Sequence, residues 1–192
     1  MKQNEHFQII EADDSHADFL VDFGRRSFAD AYKETLSLSD LEEYTKAAFS
    51  KSNITAEINA PSVTYFVCRD LESNLCGYSK LILSPPPVCI DPYRTIELQR
   101  LYVDESYRGR GIGKLLSMHA ESHAENRGFH GIWLRVWDGN VIALRKYLNW
   151  NYSVVGKERY QVGGSARTVI LMRKYSQINN GLNADTNFAS RT

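Results

Sequence analysis

Three glycines lie within five residues, between a segment that alternates like a β-strand and one with helical spacing. Gly109, Gly111 and Gly113 follow residues 96–103, in which apolar and polar side chains alternate, and they precede an amphipathic stretch. Without side chains, backbone N–H groups at a helix start can approach an anion closely, with the positive end of the helix dipole behind them. The pattern predicts a strand, a turn and a helix that together bind a phosphate or a pyrophosphate.

The spacing of these glycines excludes the two commonest phosphate-binding loops. A P-loop requires G-x-x-x-x-G-K-[ST] and a dinucleotide-binding turn requires G-x-G-x-x-G, and residues 109–114 fit neither pattern. The remaining pattern, Arg108-x-x-Gly111-x-Gly113, resembles motif A of the GNAT acetyltransferases. In that family the turn holds the pyrophosphate of acetyl-coenzyme A, so the resemblance implies acetyl-coenzyme A as the cosubstrate.

The resemblance also implies which residues contact the cosubstrate. Leu101 and Val103 are expected on the edge of a strand that splays from its neighbour, with the Leu101 N–H group near the thioester carbonyl as an oxyanion donor. The peptide N–H groups are expected to make most of the contacts with the pyrophosphate. The side chains of Arg108, Arg110 and Lys114 therefore either add positive charge near it or are solvated. The full predicted set is Leu101, Tyr102, Val103, Arg108, Gly109, Arg110, Gly111, Ile112, Gly113, Lys114, Asn140, Ala143 and Lys146.

Glu97 is the candidate general base. It precedes Leu101 by four residues, which predicts the same strand face and a separation of about 13 Å, shortened if a bulge intervenes. The position matches the general base of several GNAT enzymes, and an ammonium must lose a proton before its nitrogen can attack. The alternative is a structural carboxylate that pairs with Arg100 or Arg135.

A second motif follows the segment 133–137. Asn140-x-x-Ala143-x-x-x-Tyr147 resembles GNAT motif B, in which the asparagine contacts the cofactor arm and the tyrosine protonates the departing thiolate. Tyr147 is therefore the candidate general acid, with a plain core tyrosine as the alternative. Lys146 departs from the family pattern, in which an apolar residue is usual, and either faces solvent or adds charge near the phosphates.

Composition narrows the function classes. The 192 residues carry 23 basic and 23 acidic side chains, which argues against a nucleic acid or an anionic membrane as partner. Three cysteines without C-x-x-C spacing favour reduced thiols, and without an apolar signal segment a cytoplasmic protein is expected. His119 and His123 share a helical face, but the glutamate between them is misplaced for a zinc protease, so no metal is predicted.

The predicted elements follow the order strand, helices, three strands, helix, strand, helix and two strands. This mixed order predicts an α/β (α+β) fold without internal repeats. The resemblance specifies the GNAT fold, with a central, mixed, mostly antiparallel twisted sheet of about seven strands flanked by helices. We expect one acetyltransferase domain over residues 1–175 and a polar, disordered tail over residues 176–192.

Serine residues mark predicted helix starts in the first third of the chain. Ser39 followed by Glu42 has the form of a capping box, and Ser52 or Asn53 could cap a short helix. The loop at 84–94 contains three consecutive prolines and either forms one side of a substrate mouth or is a plain surface excursion.

The acceptor site rests on a narrower resemblance. Ser27-Phe-Ala-Asp-Ala-Tyr-Lys33 and the segments 96–103 and 132–137 look like the PaiA-type branch of GNAT proteins, which includes spermidine/spermine acetyltransferases. The candidate substrate contacts are Phe28, Tyr32 and Trp137. The helical carboxylates form either a solvated face or an acidic wall for a cationic substrate: Asp30, Glu34, Glu42 and Glu43.

The predicted function is direct transfer of acetyl from acetyl-coenzyme A to a primary amine of a small molecule, in one ternary complex. A polyamine is one candidate acceptor, and free amino acids, drugs and protein or peptide amines are others. A noncatalytic acyl-coenzyme A sensor is the alternative outside enzymes, and nucleic-acid binding is disfavoured by the balanced charge. A homodimer is compatible with these expectations.

Overall fold

The computed structural model describes residues 6–90, 94–162 and 164–176 of the chain. The α-helices within these ranges are α1 (Ala17–Tyr32), α2 (Leu38–Ala48), α3 (Lys51–Ile58), α4 (Ile112–Asn126) and α5 (Val141–Asn149). The strands are β1 (Phe7–Glu11), β2 (Val63–Asp70), β3 (Leu75–Ile82), β4 (Thr95–Val103), β5 (Gly131–Trp137), β6 (Ser153–Val162) and β7 (Ser165–Tyr175). Most of the predicted tail, part of the loop at 84–94 and residues 1–5 lie outside the described residues.

The strands form one sheet in the order β1-β2-β3-β4-β5-β7-β6. Every neighbouring pair is antiparallel except β4 and β5, which run parallel. Parallel neighbours require a crossover connection, and α4 supplies it here. The predicted mixed, mostly antiparallel sheet flanked by helices is confirmed.

The pairing between β4 and β5 ends early. It joins residues 95–97 to residues 131–133, although β4 remains paired with β3 as far as Val103. The Asp104 N–H group donates to the Cys76 carbonyl of β3 at 2.9 Å. Because N–H groups alternate in direction along a strand, those of Leu101 and Val103 point to the opposite side, where pairing with β5 has ended. The edge of β4 is therefore open at this point of the described chain.

A β-bulge at Gln99 divides β4 into two halves. Strand β3 pairs with Leu98 and next with Arg100, so Gln99 is an extra residue on β4. Leu98 and Leu101 both belong to the core beside α4, whereas Glu97 and Arg100 line a pocket on the other face. The predicted shared face of Glu97 and Leu101 is wrong, because one inserted residue moves every later side chain to the opposite face.

Two apolar cores hold the layers together, one on each face of the sheet. On one face α4 packs against the strands, with Ile112 and Leu116 buried. On the other face α1, α2 and α3 pack on β2 and β3, with Leu20, Phe49 and Tyr78 fully buried. Burial of each amphipathic helix fixes which face of the sheet it covers. The open edge of β4 lies in the sheet between these two cores.

Two of the predicted helix caps are displaced by two or three residues. Ser37 caps α2 in place of Ser39. Ser50 caps α3 in place of Ser52 or Asn53. Each capping oxygen accepts a hydrogen bond from the N–H group three residues later, at 3.1 and 3.2 Å. The chain is still extended at these two serines, which is the backbone conformation that a capping residue requires.

Candidate active site

Gly111 begins α4 with backbone angles that favour glycine. Its φ is +85° and that of Gly109 is +83°, both in the left-handed region. No side chain caps this helix start, and its first turn holds no acidic residue. Leu115 makes the first helical hydrogen bond, to the Gly111 carbonyl, so the N–H groups of residues 112–114 have no helical acceptor. These donors fit an anion at the positive end of the helix.

Gly113 brings this helix start against the open edge of β4. A Cβ atom at this position would lie 3.3 Å from the Trp150 ring, 3.6 Å from Leu101 Cδ2 and 3.7 Å from Val103 Cγ2. A side chain here would crowd the indole ring, so glycine permits the close approach. The uncapped helix start and the open strand edge are therefore neighbours.

The charged side chains around the helix start face solvent. Arg108, Arg110 and Lys114 are exposed, and the Arg110 guanidinium lies 5.1 Å from the centre of the Tyr107 ring. None of them takes part in an ion pair with a described residue. They add positive charge near donors that the backbone already supplies, and their contact with the cosubstrate stays a prediction.

Asn140 and Ala143 form the first turn of α5. The Asn140 side-chain oxygen accepts a hydrogen bond from the Ala143 N–H group at 3.0 Å and caps the helix. Its amide donors are not used by this bond, so a contact with the cofactor arm stays a prediction. Ala143 packs against the core beside α4, whereas Lys146 is exposed.

Tyr147 lies in an aromatic cluster near the end of α5. Its ring meets the rings of Trp150 and Tyr152 edge-on, with centroids 5.5 and 5.4 Å apart. Burial raises the pKa of the Tyr147 phenol well above its usual value, and the nearby Tyr32 phenol raises it further. The hydroxyl therefore stays protonated at neutral pH, as a proton donor must.

A pocket opens on the sheet face that α4 does not cover. It encloses about 650 Å³, including space open to solvent. The three predicted substrate contacts, Phe28, Tyr32 and Trp137, all line it. Phe28 stacks on Tyr44 with ring centroids 4.2 Å apart, and the Tyr32 and Trp137 rings lie 6.1 Å apart. The fold thus collects aromatic side chains from α1, α2 and β5 around one space.

Glu97 lines this pocket and is only 4% exposed. Its Oε1 atom accepts a hydrogen bond from Arg135 Nη1 at 2.8 Å, and its Oε2 atom accepts one from the Ser84 hydroxyl. Arg135 donates through Nε to Glu158 as well. Of the two arginines considered as partners, Arg135 is the one that pairs with Glu97. A carboxylate offers about four acceptor sites, so sites remain for an ammonium or a water molecule.

The remaining sequence candidates lie away from the pocket. The exposed carboxylates form a solvated face, and none lines the pocket: Asp30, Glu34, Glu42 and Glu43. His119 and His123 pack edge-on against Phe66. Among the described residues, no three His, Cys, Asp or Glu side chains are grouped so that they could hold a metal ion. None of the helices in the described ranges has the length and apolar character needed to cross a bilayer.

None of the three arginines of the pocket was among the predicted site residues, although Arg100 and Arg135 were considered as partners of Glu97. Arg100 is 8% exposed and comes from β4, and Arg167 comes from β7. Arg167 precedes Val169 by two residues, and both line the pocket. A charged residue at an inward position of an alternating strand is the signal that could have found it.

A family model matches the part of the chain that holds this site. Residues 25–150 match the acetyltransferase (GNAT) family. The chain belongs to the GNAT family. The match runs from within α1 to the end of α5 and includes the uncapped helix start and the open edge of β4. GNAT enzymes use acetyl-coenzyme A as cosubstrate, and this chain is an acetyl-coenzyme A-dependent N-acetyltransferase.

Curated relatives of this GNAT enzyme are also acetyltransferases. An uncharacterized N-acetyltransferase encoded in the pepI 3′ region of Lactobacillus delbrueckii subsp. lactis is 23% identical over 168 residues, which are 87% of this chain and 96% of that protein. Streptothricin acetyltransferase of Streptomyces lavendulae is 30% identical over 101 residues. That second likeness covers only 53% of this chain and 50% of the relative.

Solved structures share the fold of this GNAT enzyme. The PaiA N-acetyltransferase of Thermoplasma acidophilum, in complex with coenzyme A, has a TM-score of 0.69 and 21% identity, covering 88% of this chain and 99% of its own. The spermidine N-acetyltransferase of Vibrio cholerae, in complex with coenzyme A and spermine, has a TM-score of 0.64 and 18% identity, covering 90% and 96%. These likenesses confirm the GNAT fold and agree with the predicted PaiA-type resemblance.

Proposed function

We propose that this GNAT enzyme transfers acetyl from acetyl-coenzyme A to the primary amine of a small molecule, directly and within one ternary complex. The observation that carries the proposal is the adjacency of the uncapped α4 start to the open edge of β4. The N–H groups that can bind an anion therefore lie beside the N–H groups of an open strand edge. This arrangement suits a ligand that carries amide groups next to a pyrophosphate.

The backbone would hold the cosubstrate. The N–H groups of residues 112–114 would bind the pyrophosphate, with the exposed side chains of Arg108 and Arg110 nearby. The N–H groups of Leu101 and Val103 would bind the amide-containing arm. The bound cosubstrate supplies an acetyl group activated as a thioester. The Leu101 N–H group would also stabilise negative charge on the thioester oxygen.

Glu97 and Tyr147 would handle the protons. An acceptor amine is an ammonium at neutral pH, and Glu97 would take its first proton directly or through water. As the C–N bond forms and the C–S bond breaks, the Tyr147 hydroxyl would protonate the leaving sulfur. The second proton lost by the nitrogen replaces the one that Tyr147 gave. One ammonium and one thioester thus give one amide, one thiol and one proton.

The pocket supports a small-molecule acceptor. Its aromatic walls, formed by Phe28, Tyr32 and Trp137, suit a compact amine. A polyamine remains a candidate through the fold shared with spermidine acetyltransferases. Its support is weaker here, because the carboxylates on α1 and α2 that could bind a polycation are exposed outside the pocket.

Thiol release from acetyl-coenzyme A, measured over a panel of primary amines, tests the proposal. We expect amine-dependent release together with a product heavier than the amine by one acetyl group. Calorimetry with coenzyme A tests the binding step separately. Acetyl-coenzyme A that neither binds nor is consumed with any amine would overturn the proposal.

Four further properties are part of the proposal. One acetyltransferase domain would extend over residues 1–175, supported by the single sheet to which every strand of the described chain belongs. A cytoplasmic, metal-independent enzyme is supported by the balanced charge and the cysteine spacing. Limited proteolysis, cell fractionation and turnover in the presence of a chelator test these points, and light scattering tests the candidate homodimer.

A further inference from the structure

The pocket beside Glu97 carries more positive than negative charge. Three arginines line it, Arg100, Arg135 and Arg167, and Glu97 is the one carboxylate that the described residues contribute to its wall. Arg135 is neutralised because it pairs with both Glu97 and Glu158. Neither of the other two arginines has a carboxylate partner among the described residues.

Arg100 is a buried cation with few acceptors. Only 8% of its surface is exposed, and its one hydrogen bond to a described residue is a long contact of 3.5 Å from Nη1 to the Tyr65 hydroxyl. Its guanidinium lies 4.2 Å from the centre of the Phe49 ring. A guanidinium has five N–H donors, and the described groups that face those of Arg100 are the uncharged hydroxyls of Tyr65 and Tyr78. Burial of such a charge is costly unless an anion or other acceptors approach it.

Arg167 has unused donors as well. Its Nη2 atom donates to the Thr35 carbonyl, and this bond joins the end of α1 to β7. Its Nε atom is buried and has no hydrogen-bond partner among the described residues. The side chain is therefore held at the pocket wall by an uncharged partner, with its full positive charge uncompensated.

The charges of the pocket indicate which groups a ligand should carry at its two ends. Glu97 is the carboxylate that an ammonium would approach, while the guanidinium groups of Arg100 and Arg167 offer positive charge and N–H donors to a carboxylate. A polyamine would bring a second positive charge towards uncompensated arginines, which costs binding energy. The aromatic side chains Tyr44 and Tyr160 add apolar surface and hydroxyl groups to the wall of the pocket.

We propose that the acetyl acceptor is an aminocarboxylate, with its amine towards Glu97 and its carboxylate bound by Arg100 and Arg167. This inference rests on the proposed N-acetyltransferase function and names the substrate class of the same site. It makes the two arginines specificity determinants that act on the part of the acceptor that does not react.

Three amines of matched length test the inference: 5-aminopentanoate, pentylamine and 1,5-diaminopentane. We expect kcat/KM for 5-aminopentanoate to exceed that for pentylamine by at least about tenfold, since a charge-assisted hydrogen bond contributes at that level. The dication is expected to be the poorest of the three. Equal or better turnover of pentylamine or the dication would overturn this inference while leaving the N-acetyltransferase function intact.

Two variants locate the effect. Arg167→Gln should lower the preference for 5-aminopentanoate over pentylamine by about tenfold, and Arg167→Glu should shift the preference towards 1,5-diaminopentane. Arg159→Gln is the matched control, because Arg159 is an exposed arginine of β6 that does not line the pocket. A preference that is unchanged in both Arg167 variants would contradict the proposed carboxylate site.

Equilibrium binding decides the inference independently of turnover. Calorimetry with coenzyme A present should give the affinity order 5-aminopentanoate, pentylamine, 1,5-diaminopentane. The reverse order would overturn the inference. If acetyl-coenzyme A does not bind and no amine is acetylated, the proposed function fails instead. The affinity order of the three amines, measured without coenzyme A, then still shows whether the pocket prefers a carboxylate to a second ammonium.

Discussion

Arg135 Nη1 lies 2.8 Å from Glu97 Oε1, and the same guanidinium donates to Glu158 through Nε. The two carboxylates therefore share one cation, but only Glu97 lines the acceptor pocket. Variants that neutralise either Glu97 or Glu158 can therefore distinguish a catalytic role of Glu97 from a role in orienting Arg135.

Glu97→Gln is expected to lower kcat by about a hundredfold, which is within the usual range for loss of a general base. Glu158→Gln is the matched control, since it removes the other carboxylate partner of Arg135, and it should lower kcat by less than about threefold. Steady-state kinetics with a saturating amine measures both. Equal losses in the two variants would mean that Glu97 acts by orienting Arg135 and does not accept the proton.

Tyr147→Phe is expected to lower kcat by about tenfold or more, because the leaving sulfur would lose its proton donor. Tyr152→Phe provides the control. Its hydroxyl lies near Glu121 and Ser117, at 3.1 and 3.2 Å, so its loss should lower the melting temperature with little effect on kcat. Unchanged turnover in Tyr147→Phe, with the chemical step rate-limiting, would reject the proton-donor role.

Gly111→Ala should weaken both stability and acetyl-coenzyme A binding. Its φ of +85° is strained for alanine, at a cost of about 1–2 kcal/mol, and the strain falls on the turn that presents the N–H groups. Gly128→Ala is a matched control, with φ of +81° and equally open space around its Cβ position, but it follows the other end of α4. Urea unfolding should show similar losses of stability, and calorimetry should show weaker cosubstrate binding in Gly111→Ala alone.

Lys80 gives the free energy of unfolding a distinct pH dependence. It is 1% exposed, and burial, with the nearby charge of Arg100, lowers its pKa to about 8 although Glu57 lies 2.7 Å away. Between about pH 8 and 10 the unfolded chain holds a proton that the folded protein has lost, so this group makes stability rise with pH. The slope approaches about 1.4 kcal/mol per pH unit.

Comparison of Lys80→Met with the parent protein measures this slope. In urea unfolding between pH 7.5 and 9.5, the parent should gain roughly 2 kcal/mol relative to the variant. The surface variant Lys51→Met should follow the parent at every pH, because Lys51 pairs with Asp18 at an exposed position. Parallel curves for Lys80→Met and the parent would contradict the lowered pKa.

The glycine-rich turn was predictable because its constraint is local. A positive φ at Gly109 and Gly111 and a close approach at Gly113 each demand glycine, so the residue types report the backbone directly. The motif B register is similarly local, since Asn140 and Tyr147 belong to one short helix and its cap. These short-range requirements led to the correct fold, and the site residues that they predict stay a prediction.

The bulge and the charged pocket depend on distant partners. Nothing near Gln99 distinguishes a bulge from regular alternation, because the extra residue is defined only by the pairing of β4 with β3. Arg100 is buried because Phe49 and Tyr65 meet over it from other elements. The predicted serine caps were wrong for a related reason. Ser37 and Ser39 are equally suitable residue types, and the path of the preceding chain decides which of them caps α2.

The β-bulge at Gln99 determines which side chains of β4 face the pocket. If Gln99 were instead paired regularly with β3, Arg100 would face the apolar core beside α4 and Leu101 would face the pocket. Glu97 and Arg100 line the same pocket only because the bulge at Gln99 lies between them. A shift in the register of this one strand would therefore exchange the charged wall of the pocket for an apolar one, with every side chain retained.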